Sequence, residues 1–513
     1  MYFSETGRGC GASLVSMTLS VAPDVAWDPI ASTDWDAGCV RHLLRRAGWT
    51  ARSADVDRAL SEGLPVTLKR LFPESPLSFE KPDSLVKFEA DFRALLGKVR
   101  DSDGPGKRLA QRELRERSRE ALQDLRLHWL QAAARPADAA RAKWILFLSD
   151  VYVVSAEKVR NPAFIWRHFD ILAKHALGSA PALTKAVSRS PAMATYLDLR
   201  ENKRDAPNEN FARELFELFV LGEGHYTEDD IKEAARAFTG YRVLPLSGDF
   251  RLATRQQDTG TKTVFSQTGP FGGDDVVDVA YGQPAASNFL PAELVAFYLT
   301  DQKLPPEYIR ALGDRWKATK FDLTALIRVF FSSRLFYAPE FRANTIKSPI
   351  QLYVGLMQEL ELSIPPLPRF TLNPLRSMGQ QLFQPPNVRG WVGGRTWINS
   401  STLAARRQVV QQVFSPLRED ALNADEQRAL ATARAQGSSA FTVSDVWGEE
   451  IASKGNGRVA AELAKSFLAA EPDRNTLAAL TNYLSLNNEA SRPLQRIRTA
   501  AMTLLQTPAY QLC

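Results

Sequence analysis

The chain has 513 residues, 44% of them hydrophobic and 24% charged, which is long enough for two or three structural lobes around a sizeable core. Its 64 Lys+Arg exceed its 58 Asp+Glu by six charges, and because both signs are interspersed, no nucleic-acid partner is indicated. Three cysteines, Cys10, Cys39 and Cys513, offer neither metal-ligand spacing nor an even-numbered disulfide framework.

The first residues carry a weakly apolar stretch, 12–22, diluted by Ser and Thr, which reads poorly as a signal peptide. Residues 1–30 are expected to be a poorly ordered extension, and without a convincing leader the expected compartment is the cytoplasm. A helical lobe is expected over 31–240. "CVRHLLRRAGW" sets Val40, Leu43, Leu44 and Ala47 on one face, with Gly48 placed to end the helix. "SADVDRALSEGL" opens at Ser53 and stops at Gly63. From Lys98 to Trp129, "DSDGPG" is a turn and the remainder a solvated helix with Leu109, Leu114, Leu122 and Leu125 inside; its alternating charges read as a water-facing surface. "WILFLSDVYVV", from Trp144 to Val154, is too short to span a bilayer and is interrupted by Ser149 and Asp150, so it reads as a buried helix and no transmembrane segment is predicted.

The densest stretch is "PNENFARELFELFVLGEGHYTEDDIKEAARAFTG", Pro207 to Gly240. Pro207 cannot sit inside a helix and Asn208 is suited to cap one, so a helix is expected from about Glu209 to Leu221, ended by Gly222. Phe211, Leu215, Leu218 and Phe219 form its apolar stripe, Arg213 and Glu217 point away with Asn210 beside them, and Glu214 falls on the edge of the stripe. A carboxylate there is costly to desolvate, so Glu214 is expected to have a specific partner, with Arg236 within reach. Thr227 and Asp230 form a shortened capping box for the next helix. Three readings follow: a pair of helices fastened by Glu, Asn and Arg bonds, a catalytic or metal role for Glu214 and Glu217, two carboxylates on one helix side, or a binding surface.

Between 241 and 266, "YRVLPL", "FRLATR" and "TKTVF" read as a small antiparallel β-meander inserted among helices, with the insert as a whole spanning 241–275. Within it, Asp258 and Lys262 flank a glycine and fit either a turn or a pocket. The helical period returns over 276–513, a second helical lobe, so the fold class is mainly α. "GWVGGRTWINSS" combines Trp391, Arg395 and Trp397 on a flexible backbone, suited to carbohydrate or peptide contact as well as to loop packing. His175 and His225 are further candidates for binding, though neither is spaced with a second histidine. No phosphate loop, nucleophile elbow or H-E-x-x-H appears, and neither a cofactor nor a metal site is predicted.

"PNENFAREL", "LGEGHYTEDDIKEAARAFTGY", "GPFGGDDVVD", "MGQQLFQPPNVRGWVGGRTWINSSTLAAR" and the terminal "LLQTPAYQL" resemble, in order, blocks of the bacterial family known as domain of unknown function 1800. The resemblance implies a bacterial, mostly helical, frequently exported protein, for which a periplasmic or exported location is the alternative expectation. It also implies a gene neighbour from the family of unknown function 1501, whose members look like sulfatases and alkaline phosphatases, and hence an accessory role beside such a partner. Two motifs depart from the family pattern: Leu148 to Tyr152 stand where a Trp-His-Asn-His-Phe-like run is frequent, and Gln257 and Asp258 where His-Asp precedes a Gly and a Lys. A hydrolase acting on glycan or envelope substrates, and a structural scaffold, are the alternative readings.

Overall fold

A computed structural model describes residues 19–486 and 493–513. The described residues are 62% helical with 4% strand, the outcome the 3.6-residue periodicity dictates. Cys10 and residues 1–18 of the expected extension lie outside the described residues. Residues 19–30 pack on the body: the Trp27 indole is buried and donates to the Tyr308 carbonyl at 2.8 Å.

Five helices open the fold: α1 (Ala37–Ala47), α2 (Ser53–Leu71), α3 (Asp83–Asp101), α4 (Gly104–Ala134) and α5 (Ala139–Val151). In α1, the Asp36 carboxylate accepts from Cys39 N at 2.7 Å, and Gly48 N returns to the Leu44 carbonyl at 3.0 Å, satisfying groups that a helix end leaves unpaired. Gly63 does not end α2 but breaks it: with φ at 72° it turns the chain, and helix resumes to Leu71. The inner face of α4 is shifted from expectation. Leu125 is buried, Leu114 and Leu122 are half-buried, and Leu109 stands in solvent, because the first turns of α4 extend beyond the core that its later turns join.

The β insert forms two separate hairpins rather than one continuous meander. β1 (Tyr241–Val243) pairs with β2 (Phe250–Leu252), and β3 (Lys262–Val264) with β4 (Gln267–Gly269), both antiparallel. A 3₁₀ turn at Thr254–Gln256 separates them, and the second hairpin packs instead on the helix Glu228–Ala237, whose Asp230 and Glu233 carboxylates accept from Phe265 N (2.7 Å) and Thr263 N (3.0 Å). One continuous apolar cluster runs from Ala26 to Tyr510, with a small satellite around Leu367, Leu422, Leu430, Ala433 and Phe441. Among the described residues no helix is long and apolar enough to cross a membrane.

Candidate functional site

Helix boundaries in the 207–240 stretch follow local chemistry. Asn208 Oδ1 accepts from Asn210 N at 2.9 Å, Gly222 takes φ 86° at the far end, and Thr227 and Asp230 cap each other's backbone N–H. Between these ends the helix is not uniform: Asn210–Glu214 is α-helical, whereas Leu215–Val220 winds as a π-helix, with Leu221 N bonded back to the Phe216 carbonyl at 2.9 Å. The wider turn rotates later side chains off a 100° wheel. Glu217 stays on the less buried side with Arg213, where it accepts from the Tyr226 hydroxyl at 2.6 Å and from the Arg389 guanidinium at 2.8 Å, whereas Leu218, expected in the apolar stripe, is half-buried and Phe216 is buried in its stead. Arg389 also bonds Glu223.

Glu214 corrects the expectation placed on it. It is half-buried and makes no hydrogen bond or ion pair among the described residues. Burial and the neighbouring Glu217 charge raise its pKa, while Arg389 and Arg213 act in the opposite sense from a distance. Half burial leaves it contact with water, so a dedicated partner is not required. Arg236 does not reach it: its guanidinium is held by Asp258 at 2.8 Å and Glu233 at 2.8 Å. Arg213 is bound by Glu228 at 2.7 Å and Glu209 at 3.4 Å, and Asn210 reaches Asp198 at 3.5 Å.

Asp258 and Lys262 build a turn. The buried Lys262 ammonium donates to the carbonyls of Asp258 (2.7 Å) and Gly260 (2.8 Å), and Asp258 Oδ1 accepts from Gly260 N at 2.8 Å. The Arg236 bond holds the Asp258 carboxyl below its ordinary range, while burial lowers Lys262. This network shares no hydrogen bond with that of Glu217 and Arg389, so the four carboxylate and lysine candidates do not join in one bonded site. His225 is exposed, and His175 is half-buried at the end of the helix Pro162–His175, its carbonyl accepting from Gly178 N.

A cavity of about 300 Å³ lies elsewhere, and sequence reasoning did not single out most of its residues. Helix α5 turns Lys143, Leu146, Phe147 and Asp150 into it, spaced i, i+3, i+4, i+7 on one face of a mostly apolar helix. The helix Ala286–Tyr298 adds Glu293 and Phe297, the end of α1 adds Arg46, and Trp391 and Trp397 come from the loop after Arg389. Arg395 is exposed and takes no part in the lining. The loop closes on Asp150 through Trp391 N, which donates to Asp150 Oδ1 at 2.9 Å. Gly390 permits this approach: its φ is 75°, and a Cβ there would sit 2.0 Å from Asp150 Oδ1.

Surroundings of low polarity reset the ionisable groups of the cavity. Burial pushes the Asp150 carboxyl up to about 7, against the opposing Trp391 N–H, and raises Glu293 as well. Burial brings Lys143 down to about 7. Such groups change protonation near neutrality, the property an acid–base catalyst needs. The detectable sequence signal was Lys143 and Asp150, seven residues apart on one side of a mostly apolar helix. Among the described residues no group of three or more His, Cys, Asp or Glu side chains is arranged to hold a metal ion.

The sequence profile of the family described as protein of unknown function (DUF1800) matches residues 42–512, and the chain belongs to that family. No curated protein and no solved structure matches it.

Proposed function

We propose that the chain is a hydrolase whose reaction takes place in the cavity between α5, the helix Ala286–Tyr298 and the loop 389–397, with Asp150 and Glu293 as its acid–base carboxyls. The observation that carries this reading is the convergence of two carboxyl groups from separate helices on one aromatic-walled cavity. Trp391 and Trp397 supply flat apolar faces with polar edges, which suits a hydroxyl-rich substrate such as a glycan of the cell envelope. Asp150 protonates a leaving oxygen or accepts the proton of water, with Glu293 taking the complementary part. Glu217 acts at one remove, holding Arg389 at the rim. The test is turnover of envelope glycans and soluble oligosaccharides by the whole chain, Asp150→Asn and Glu293→Gln. The reading requires loss of turnover in both variants with an unchanged circular-dichroism spectrum, and wild-type rates in both would overturn it.

A second reading, an accessory protein of a co-encoded sulfatase- or phosphatase-like partner, is favoured by one feature. Leu244 and Leu246 stand exposed in the β1–β2 turn and Leu252 at the open end of the same hairpin, opposite Tyr241, exposed apolar side chains of the kind that partner surfaces cover. Co-purification with the neighbouring protein, lost when the three leucines become serine, would support it; an unchanged yield of partner would remove the hairpin from consideration.

A further inference from the structure

Behind the carboxyls of the cavity lies an unusual concentration of positive charge. Arg45, Arg46, Lys143, Lys347 and Arg406 are each one to three per cent exposed, and none has an ion-pair partner among the described residues. Carbonyls solvate most of these groups. Arg46 donates to those of Tyr298 (3.3 Å) and Phe341 (2.9 Å) and to the Asn344 side chain, Lys143 to that of Gly48 at 2.9 Å, and Arg406 to that of Lys347 at 2.9 Å. Carbonyl dipoles orient around a cation without neutralising it, and buried charge of one sign is costly. Of the acidic groups on this side, the Glu359 carboxylate is engaged by Thr50 at 2.6 Å and Tyr510 at 2.6 Å, Asp301 acts on Arg46 only from a distance, and the buried Cys513 thiol, which lines the cavity, is drawn down by Arg46, Lys143 and Lys347 against the effect of its burial.

Two of the five, Arg46 and Lys143, line the cavity. The Lys143 ammonium has three protons and two acceptors, the carbonyls of Gly48 at 2.9 Å and Arg45 at 3.4 Å, which leaves one proton to donate, and Arg46 adds its charge to the same lining. Beside it on the same wall, Gln380 uses its oxygen to accept from Ile350 N at 3.0 Å and Ser348 uses its own to accept from Gln351 N at 3.2 Å, so both keep N–H or O–H groups to donate. We propose that this wall of the cavity binds an oxyanion carried by the substrate: a sulfate, phosphate or carboxylate group, oriented by Arg46, Lys143, Gln380 and Ser348. The inference rests on the hydrolase reading and narrows its substrate to an anionic one.

Equilibrium dialysis of the whole chain at fixed ionic strength against labelled sulfate, labelled phosphate and glucuronate tests it, and the three arms separate the sources of the oxyanion. We expect saturable binding of one equivalent of at least one of them, weakened about 10- to 100-fold by Arg46→Met, the loss of a charge-assisted bond. Ser348→Ala is the milder change at the same wall and should weaken binding several-fold where Arg46→Met does not fold. No saturable binding of any of the three by the wild-type chain, or equal affinity in the variants, overturns the proposal. Asp150→Asn and Glu293→Gln should retain the anion, so the two readings fail separately. Anion binding without turnover removes the acid–base assignment, whereas turnover without anion binding removes this one.

Discussion

Asp150 and Lys143 share one helix face yet respond to opposite ranges of pH. A carboxyl with pKa about 7 when folded against roughly 3.9 unfolded holds a proton in the native state that the unfolded chain has released, so its contribution to stability falls as pH rises from about 4 to 7. A lysine at about 7 folded against roughly 10.4 unfolded penalises the native state below 7, a penalty that fades as pH rises from about 7 to 10. Urea titrations across pH should therefore show that Asp150→Asn gains stability over wild type progressively above pH 4 and levels off beyond 7. Lys143→Met should gain most below 7 and lose that advantage towards pH 10. Parallel curves for wild type and variants would contradict these assignments. Gly390→Ala forces a Cβ into Asp150 at a positive φ and should cost about 1–3 kcal/mol by the same titration. Little of this was legible in the sequence, because Arg46, Lys143, Asp150, Glu293 and Trp391 come from distant segments and meet only after folding. Trp391 and Trp397 could be singled out, whereas Asp150 stood out only as an interruption of an apolar run and Glu293 not at all.

Among the elements, the helix ends were the legible part. Asn208, Gly222, Thr227 and Asp230 act on neighbours within a few residues, so their roles can be read without tertiary knowledge. The winding between them was not legible: a wheel of 100° per residue assumes α geometry, whereas Leu215–Val220 is a π-helix, in which Phe216 is buried and Leu218, expected in the stripe, is left half-buried. The two classes of contact predict different costs. Thr227→Ala removes a capping box and should lower stability by about 1 kcal/mol. Glu217→Gln weakens a pair whose arginine side chain is 55% exposed, so its cost should stay below about 1 kcal/mol. Chemical denaturation of both variants checks the order, and a larger loss for Glu217→Gln would show that Arg389 anchors the loop 389–397.

Across the whole molecule, early and late segments depend on each other. Trp27 donates to Tyr308, His42 meets the Phe336 carbonyl at 2.9 Å, and Arg46 reaches Phe341, contacts that close loops of nearly three hundred residues and belong to one core. A fragment ending at Gly240 should accordingly retain helical circular dichroism but bind a hydrophobic dye and lack a cooperative thermal transition. Mainly helical architecture was apparent from periodicity; which helices meet was not, since amphipathic faces do not name their partners. The aromatic walls of the cavity have a practical corollary. Trp49, Trp391 and Trp397 are three of the ten tryptophans, and their indoles are natural fluorophores. Occupancy should alter emission colour or intensity, allowing candidate ligands to be screened optically in the unmodified chain before any turnover assay exists.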